Sequence, residues 1–379
     1  MRNSIHYRPT RVTINLDAIK ANIRNFTQHI GSSTEIIAVV KANGYGHGDV
    51  EVAIAAFEAG AKMVSVATPD EAVRLRMAGI GGDILVMGAA PIVFAKKAAE
   101  LGIIITVSTA EWLQTAVNDS GGFVKPLKIH VKIDSGMGRI GLRDAASLES
   151  IVSIVERFDD VQLDGIFTHF ACADEGNHKK TEEQFAMFMD LVQTLPEKPR
   201  LVHASNSAAA LLNTDYGLDA VRFGISLYGV APSDYVAGKL PFQLERSLQI
   251  ESELVHVKLL EAGSPISYGG TYETVEDEWI GTIPIGYADG LRRGLRGQEV
   301  LVGGERAPIV GTICMDQCMV KLPYKMPIGE KVMLIGCQGK EEVTMEEWAE
   351  RLGTIPYEIA VSIAERVPRI YIGKDGQST

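Results

Sequence analysis

The chain has 379 residues, 46% hydrophobic and 22% charged, with a formal net charge of -11 at pH 7. That length suits two domains with sizeable cores, and an acidic balance without any Lys/Arg run argues against nucleic acid as a partner. The opening MRNSIHYRPT and the short apolar runs offer neither an export signal nor a membrane span, so a cytoplasmic setting is expected, one that suits four cysteines without zinc-like pairing.

After a first apolar run at 11–16 and a helix starting near Asp17, Val/Ile-rich runs predict strands at 35–41, 63–67, 83–88, 103–108, 128–135, 162–170, 200–205 and 220–224. Amphipathic stretches at 49–60, 69–79, 109–117 and 181–195 predict helices, with Thr68 before Pro69 as a start and Gly60 and Gly79 as stops. Eight strands, each followed by a helical or turn segment, predict an α/β fold whose residues 1–240 form an N-terminal (β/α)8 TIM-like barrel. A doubly wound open sheet shares that strand count. From 241 the texture changes. Strands are predicted at 248–260, 279–285, 299–302, 307–319 and 331–335, and helices only at 345–352 and 357–364, giving a C-terminal mainly β domain over 241–379.

The first stretch with chemical content is VVKANGYGHG, residues 39–48. A strand delivers Lys41 at its C-terminal end, where barrel enzymes carry catalytic groups, and three glycines then allow close backbone approach. A lysine partly shielded from water there sheds its proton more readily and can attack a carbonyl. On the motif alone, a solvated lysine in a flexible turn is an equal reading.

Further segments follow in order: KIDSGMGR (132–139), Thr168-His169-Phe170, HASNS (203–207), VRFGI (221–225), ISYGGTY (266–272), GYADG (286–290), CMDQ (314–317) and Pro356-Tyr357-Glu358. Together with the lysine motif they resemble the alanine racemase family over essentially the whole chain. The resemblance implies a pyridoxal 5'-phosphate enzyme that interconverts L- and D-alanine, supplying D-alanine for peptidoglycan. It implies Lys41 as proton carrier on the D-alanine face and Tyr268 on the L-alanine face. Both groups start from reference pKa values of about 10, so the site must lower them to make useful bases near neutrality. Arg222 would face the pyridine nitrogen, and His169 would connect Arg222 to Tyr268. The phosphate would meet Tyr45, Ser207, the N–H groups of Gly224 and Ile225, and Tyr357. The substrate carboxylate would meet Arg139 and the N–H of Met315. Lys132 resembles a lysine that becomes carbamylated and orients Arg139, and Asp316 and Tyr287 would stand behind the substrate. The family's head-to-tail homodimer would make each site composite. Thr312 departs from the pattern, in which an arginine is common, so an entrance-corridor ion pair to Asp174 is not expected, although Arg293 remains available to that corridor.

The same residues bear on other classes of protein. A basic-amino-acid decarboxylase shares the architecture but uses an acidic partner for the ring nitrogen, against Arg222. A broad-specificity racemase and a non-catalytic binder of the cofactor remain alternatives. A zinc hydrolase would need more than His169, Asp174 and His178, which fit no compact ligand pattern, so no metal is expected.

Overall fold

The computed structural model describes residues 6–373. The chain forms two compact units that are not contiguous in sequence. One comprises Ala18–Gly44 and Gly48–Arg246; the other takes, among the described residues, 6–17, the short Tyr45–His47 stretch and 247–373.

Strand β1 (Arg11–Asn15) belongs to the second unit. The next eight build the first: β2 (Glu35–Val39), β3 (Met63–Val66), β4 (Asp83–Ala89), β5 (Ile103–Val107), β6 (Leu127–Lys132), β7 (Val161–Phe167), β8 (Leu201–His203) and β9 (Ala220–Phe223). They pair in parallel in the order β9-β2-β3-β4-β5-β6-β7-β8. Across the remaining seam the Asp219 N–H donates to the Val202 carbonyl and the Arg222 N–H to that of Ser205, each at 3.1 Å. The sheet is thus a nearly closed eight-stranded barrel, as the strand pattern predicted, and not an open doubly wound sheet. Ile37, Met63, Leu85, Ile104, Leu201 and Ala220, one from each of six strands, pack into a single buried cluster. Every residue of β5 is buried, which explains why these strands read as unbroken apolar runs: a parallel barrel covers both faces.

The helices between strands begin where the chain supplies caps. Thr68 Oγ1 accepts the Glu71 N–H at 3.3 Å while the Glu71 carboxylate accepts that of Thr68 at 3.1 Å, a capping box that starts helix Pro69–Met77. Thr109 and Asp144 cap Ala110–Ser120 and Ala145–Arg157 through their side-chain oxygens.

The second unit continues with β10 (Leu248–Glu253), β11 (His256–Leu260), β12 (Pro265–Ile266), β13 (Tyr272–Glu273), β14 (Glu278–Ile283), β15 (Glu299–Val302), β16 (Glu305–Val310), β17 (Cys318–Leu322), β18 (Lys331–Gln338), β19 (Glu341–Val343) and β20 (Arg369–Ile372). Its main sheet runs β11-β14-β17-β16-β15-β18-β10-β1-β20, with β1 antiparallel to β10 and parallel to β20. Two predicted strands are each two strands. The 248–260 run turns a corner at Leu254 and Val255, whose N–H groups donate to the carbonyls of Glu330 and Thr282, so the chain passes from β18 to β14 as its partner. The 307–319 run divides into β16 and β17, and the loop between them carries Thr312, Met315 and Asp316.

Candidate active site

The residues expected to act divide between the units. Lys41, Lys132, Arg139, His169, Ser207, Arg222, Gly224 and Ile225 lie in the barrel unit; Tyr45, Tyr268, Tyr287, Met315, Asp316 and Tyr357 lie in the other.

Lys41 follows the C-terminal end of β2, which is braced from inside by Tyr228, whose hydroxyl donates to the Val39 carbonyl at 2.9 Å. Directly after Lys41 the backbone enters the left-handed region at Ala42 (φ 52°), Asn43 (φ 54°) and Gly44 (φ 60°). Two of these residues carry a Cβ, and that conformation costs roughly 1–2 kcal/mol for each. The surroundings hold it. Ala42 N–H donates to Glu71 Oε1 at 2.7 Å, Gly44 N–H to the Val40 carbonyl at 2.8 Å, and the Asn43 side chain accepts the Asp49 N–H at 3.2 Å. Burial, helped by the Arg139 charge and opposed by Glu71, pushes the Lys41 pKa below its ordinary value. More of the amine is therefore unprotonated near neutrality than in water.

Arg222, near the end of β9, is buried and donates to five acceptors. Nη1 reaches His203 Nδ1 at 2.7 Å and the His203 carbonyl at 3.4 Å; Nη2 reaches the carbonyls of Thr168 and Ala204 at 2.7 Å and His169 Nδ1 at 3.3 Å. No carboxylate is among its partners in the described residues. Burial and Arg139 lower its pKa to about 9, which leaves it charged at neutral pH. His169 is held well below the ordinary imidazole range, first by burial and then by Arg222, so it is neutral.

Lys132 ends β6, buried, with its Nζ 3.1 Å from the Ile133 carbonyl and 4.9 Å from the centre of the Phe167 ring. Burial, then Arg222 and Arg139, bring its pKa down to about 6. The loop that follows is shaped by Asp134, which accepts the N–H groups of Gly136 and Gly138 at 3.2 and 2.9 Å, and it presents Arg139 on an exposed turn. Ser207 opens helix Ser207–Leu212, and its Oγ accepts the Gly224 N–H at 2.9 Å, which leaves the hydroxyl proton able to donate elsewhere. Ile225 starts the short turn Ile225–Tyr228 beside it.

In the second unit, Tyr45 and Tyr357 come together with ring centres 6.1 Å apart, and burial raises the Tyr45 phenol above its usual pKa. Gly46, next to Tyr45, leaves no room for a side chain: a Cβ would fall 2.3 Å from the Ala360 carbonyl, and φ is +82°. Tyr268 projects an exposed ring from a short turn, 74% accessible. Its backbone is clamped by hydroxyls. Thr312 Oγ1 donates to the Tyr268 carbonyl at 3.0 Å, and Thr271 Oγ1 lies 3.0 Å from the same Thr312 oxygen. Ser267 Oγ donates to the Thr312 carbonyl at 2.6 Å from a left-handed φ of 67°. Tyr287 N–H donates to the Cys314 carbonyl at 3.0 Å, tying its turn to the loop of Met315 and Asp316. Asp316 itself pairs with Arg366 at 2.6 Å.

Sequence reasoning missed Glu71, His130 and Asp164 as neighbours of the site, and it took in Thr168 and His203 only as parts of motif segments, without a role. Glu71 carried a readable signal, the Thr68-x-x-Glu71 capping box. The others lie on or just after three different strands, and only the barrel brings them into contact.

Models of the alanine racemase N-terminal domain and C-terminal domain match residues 14–232 and 247–371. The chain is 48% identical over 365 residues to an alanine racemase of Geobacillus kaustophilus, covering 96% of this chain and 95% of that one. Among solved structures, alanine racemase from Bacillus anthracis with bound L-Ala-P superposes with a TM-score of 0.95 at 44% identity, covering 99% of this chain and 98% of that one. A histidine racemase from Leuconostoc mesenteroides superposes at 0.91 with 30% identity, covering 97% and 99%.

Proposed function

This chain belongs to the alanine racemase family and is an isomerase; from that premise we propose that it inverts alanine by a two-base mechanism with pyridoxal 5'-phosphate. The observation that carries the proposal is Arg222, a buried guanidinium whose acceptors are carbonyls and imidazoles. A pyridine nitrogen is an acceptor of the same kind. Lys41, with its pKa lowered by burial and then by Arg139, suits the amine that holds the cofactor, and Ser207, Gly224, Ile225, Tyr45 and Tyr357 are the proposed phosphate partners. When bound, the cofactor supplies an electron sink for the pair left at Cα.

The rest is done by side chains. Arg139 and the Met315 N–H take the substrate carboxylate, a fork-shaped match for the guanidinium. Lys41 removes or returns the Cα proton on the D-alanine side and Tyr268 on the L-alanine side. Arg222 keeps its proton, so charge build-up on the sink is limited and competing reactions are disfavoured. His169, neutral, can accept from Arg222 at Nδ1 and donate from Nε2, the polarity needed to join Arg222 to Tyr268. Lys132, an unprotonated amine near neutrality, is the form that adds CO2 to give a carbamate and a proton, and the resulting anion would orient Arg139. Tyr287 and Asp316 are proposed to support the substrate pocket. The exposed Tyr268 and Met315 support a homodimer whose partner copy covers them. A cytoplasmic role in making D-alanine for peptidoglycan accords with the family.

Conversion of L-alanine to D-alanine by the cofactor-loaded protein, followed by chiral chromatography, tests the proposal; a loaded protein that leaves L-alanine unchanged rejects it. A broader substrate range is a second reading, favoured by the histidine racemase likeness, and histidine in the same assay decides it.

A further inference from the structure

Behind Arg222 a chain of buried polar groups crosses the barrel. His203 Nε2 lies 3.0 Å from His130 Nδ1, and His130 Nε2 lies 3.0 Å from Asp164 Oδ2. Asp164 in turn accepts from Arg200 Nε at 3.0 Å and Nη2 at 2.8 Å, and Arg200 also reaches Asp83 at 3.1 Å, near the start of β4. The chain thus runs from the C-terminal end of β9 to the N-terminal rim of the barrel. Both imidazoles are fully buried, and room for His130 exists only because Gly165 has no side chain: a Cβ there would sit 2.7 Å from the ring.

The ends of this chain have fixed polarity. A guanidinium only donates and a carboxylate only accepts. Arg222 donates to His203 Nδ1, so His203 carries its proton on Nε2 and gives it to His130 Nδ1; His130 then carries its proton on Nε2 and gives it to Asp164. One direction satisfies every bond. Burial holds both imidazoles neutral. Burial alone would raise the pKa of Asp164, but the His130 and Arg200 hydrogen bonds hold it below the usual carboxylate range.

We infer that Asp164 and Arg200 are positioning residues for Arg222: the Asp164 carboxylate is the remote counter-charge of the buried guanidinium, acting through His130 and His203, and Arg200 sets how strongly it acts. Hydrogen bonds in such a chain polarise one another, so a charge at one end is felt at the other. The inference rests on the proposed role of Arg222 in the reaction, but its test does not require turnover.

The test is two-bond 1H–15N NMR of the full-length, cofactor-loaded protein with labelled histidine, assigned with His130→Gln and His203→Gln. Both rings are expected as neutral Nε2–H forms. In Asp164→Asn the acceptor loses its charge, and the Nε2–H protons of both His130 and His203 should move upfield, although Asp164 touches only His130. In Arg200→Met, a change at a half-exposed residue, the carboxylate is less neutralised, and both protons should move downfield. The Asn variant should also lower kcat by about ten- to a hundredfold with a smaller change in KM. An Nδ1–H or charged ring in the parent protein overturns the inference. So does a His203 proton that stays fixed in both variants while that of His130 moves, since the chain would then be core packing alone. If the shifts appear but alanine is not racemised, the relay stands and the family role of Arg222 fails.

Discussion

One oxygen of the Glu71 carboxylate accepts the Ala42 N–H at 2.7 Å, while the other accepts those of Ala67 and Thr68 at 2.8 and 3.1 Å. The cap of one helix is therefore also the brace of the left-handed turn that follows Lys41. In Glu71→Gln the amide NH2 must face one of these donors, so at least one bond is lost. The expected cost is about 1–2 kcal/mol of stability. Loss of the Glu71 charge should also lower the Lys41 pKa further, since that charge opposes the downward shift. Thermal denaturation and the pH dependence of Lys41 labelling in the cofactor-free protein check both; an unchanged Tm together with unchanged labelling contradicts them.

Lys132 makes the stability of the cofactor-free protein depend on pH. Its pKa falls from 10.5 to about 6 in the folded chain. Between these values the unfolded chain binds more protons, so stability rises with pH across that window, and the full penalty is felt below it. In CO2-free buffer Lys132→Met should be more stable than the parent near pH 6, with the gap closing as pH rises. In 13C-labelled bicarbonate the parent should show a carbamate resonance that the Met variant lacks. A parent whose stability is flat over the window counts against a buried, unprotonated amine.

Thr312 takes the place where an arginine was expected, and it grips Tyr268 instead, through a bond of 3.0 Å to its carbonyl. Thr312→Val removes that donor and the partner of Thr271. Several-fold to about tenfold loss of kcat is expected, on the scale of one to two hydrogen bonds. Thr312→Ser should restore most of it. Equal activity in all three proteins would show that the clamp does not matter to the chemistry.

Much of this architecture was legible in the chain. The eight barrel strands announce themselves because parallel strands covered on both faces need continuous Val and Ile, and the helix start at Thr68 follows from capping chemistry. What stayed hidden depends on pairing between distant segments. Nothing local in Arg11–Asn15 tells that it lies between β10 and β20. The division of 307–319 was missed because the apolar spacing runs on through a loop whose backbone is fixed by Ser267, Thr271 and Tyr268, residues about 45 positions away. Lys41 and Tyr268 were proposed through motif resemblance rather than periodicity. Of the Asp164–His130–His203 chain only His203 lay in a motif segment, and the chain became visible only in the barrel.

The central claim is that Lys41 and Tyr268 serve opposite faces of the substrate, and hydrogen exchange in D2O tests it most directly. The cofactor-loaded Tyr268→Phe variant is incubated separately with D-alanine and L-alanine, and deuterium at Cα is followed by chiral chromatography with mass detection. The account predicts that D-alanine still exchanges its Cα hydrogen through Lys41, whereas exchange from L-alanine and net racemisation fall by about 10²–10⁴-fold. Equal exchange from both enantiomers, or racemisation at the parent rate, would contradict the two-base assignment.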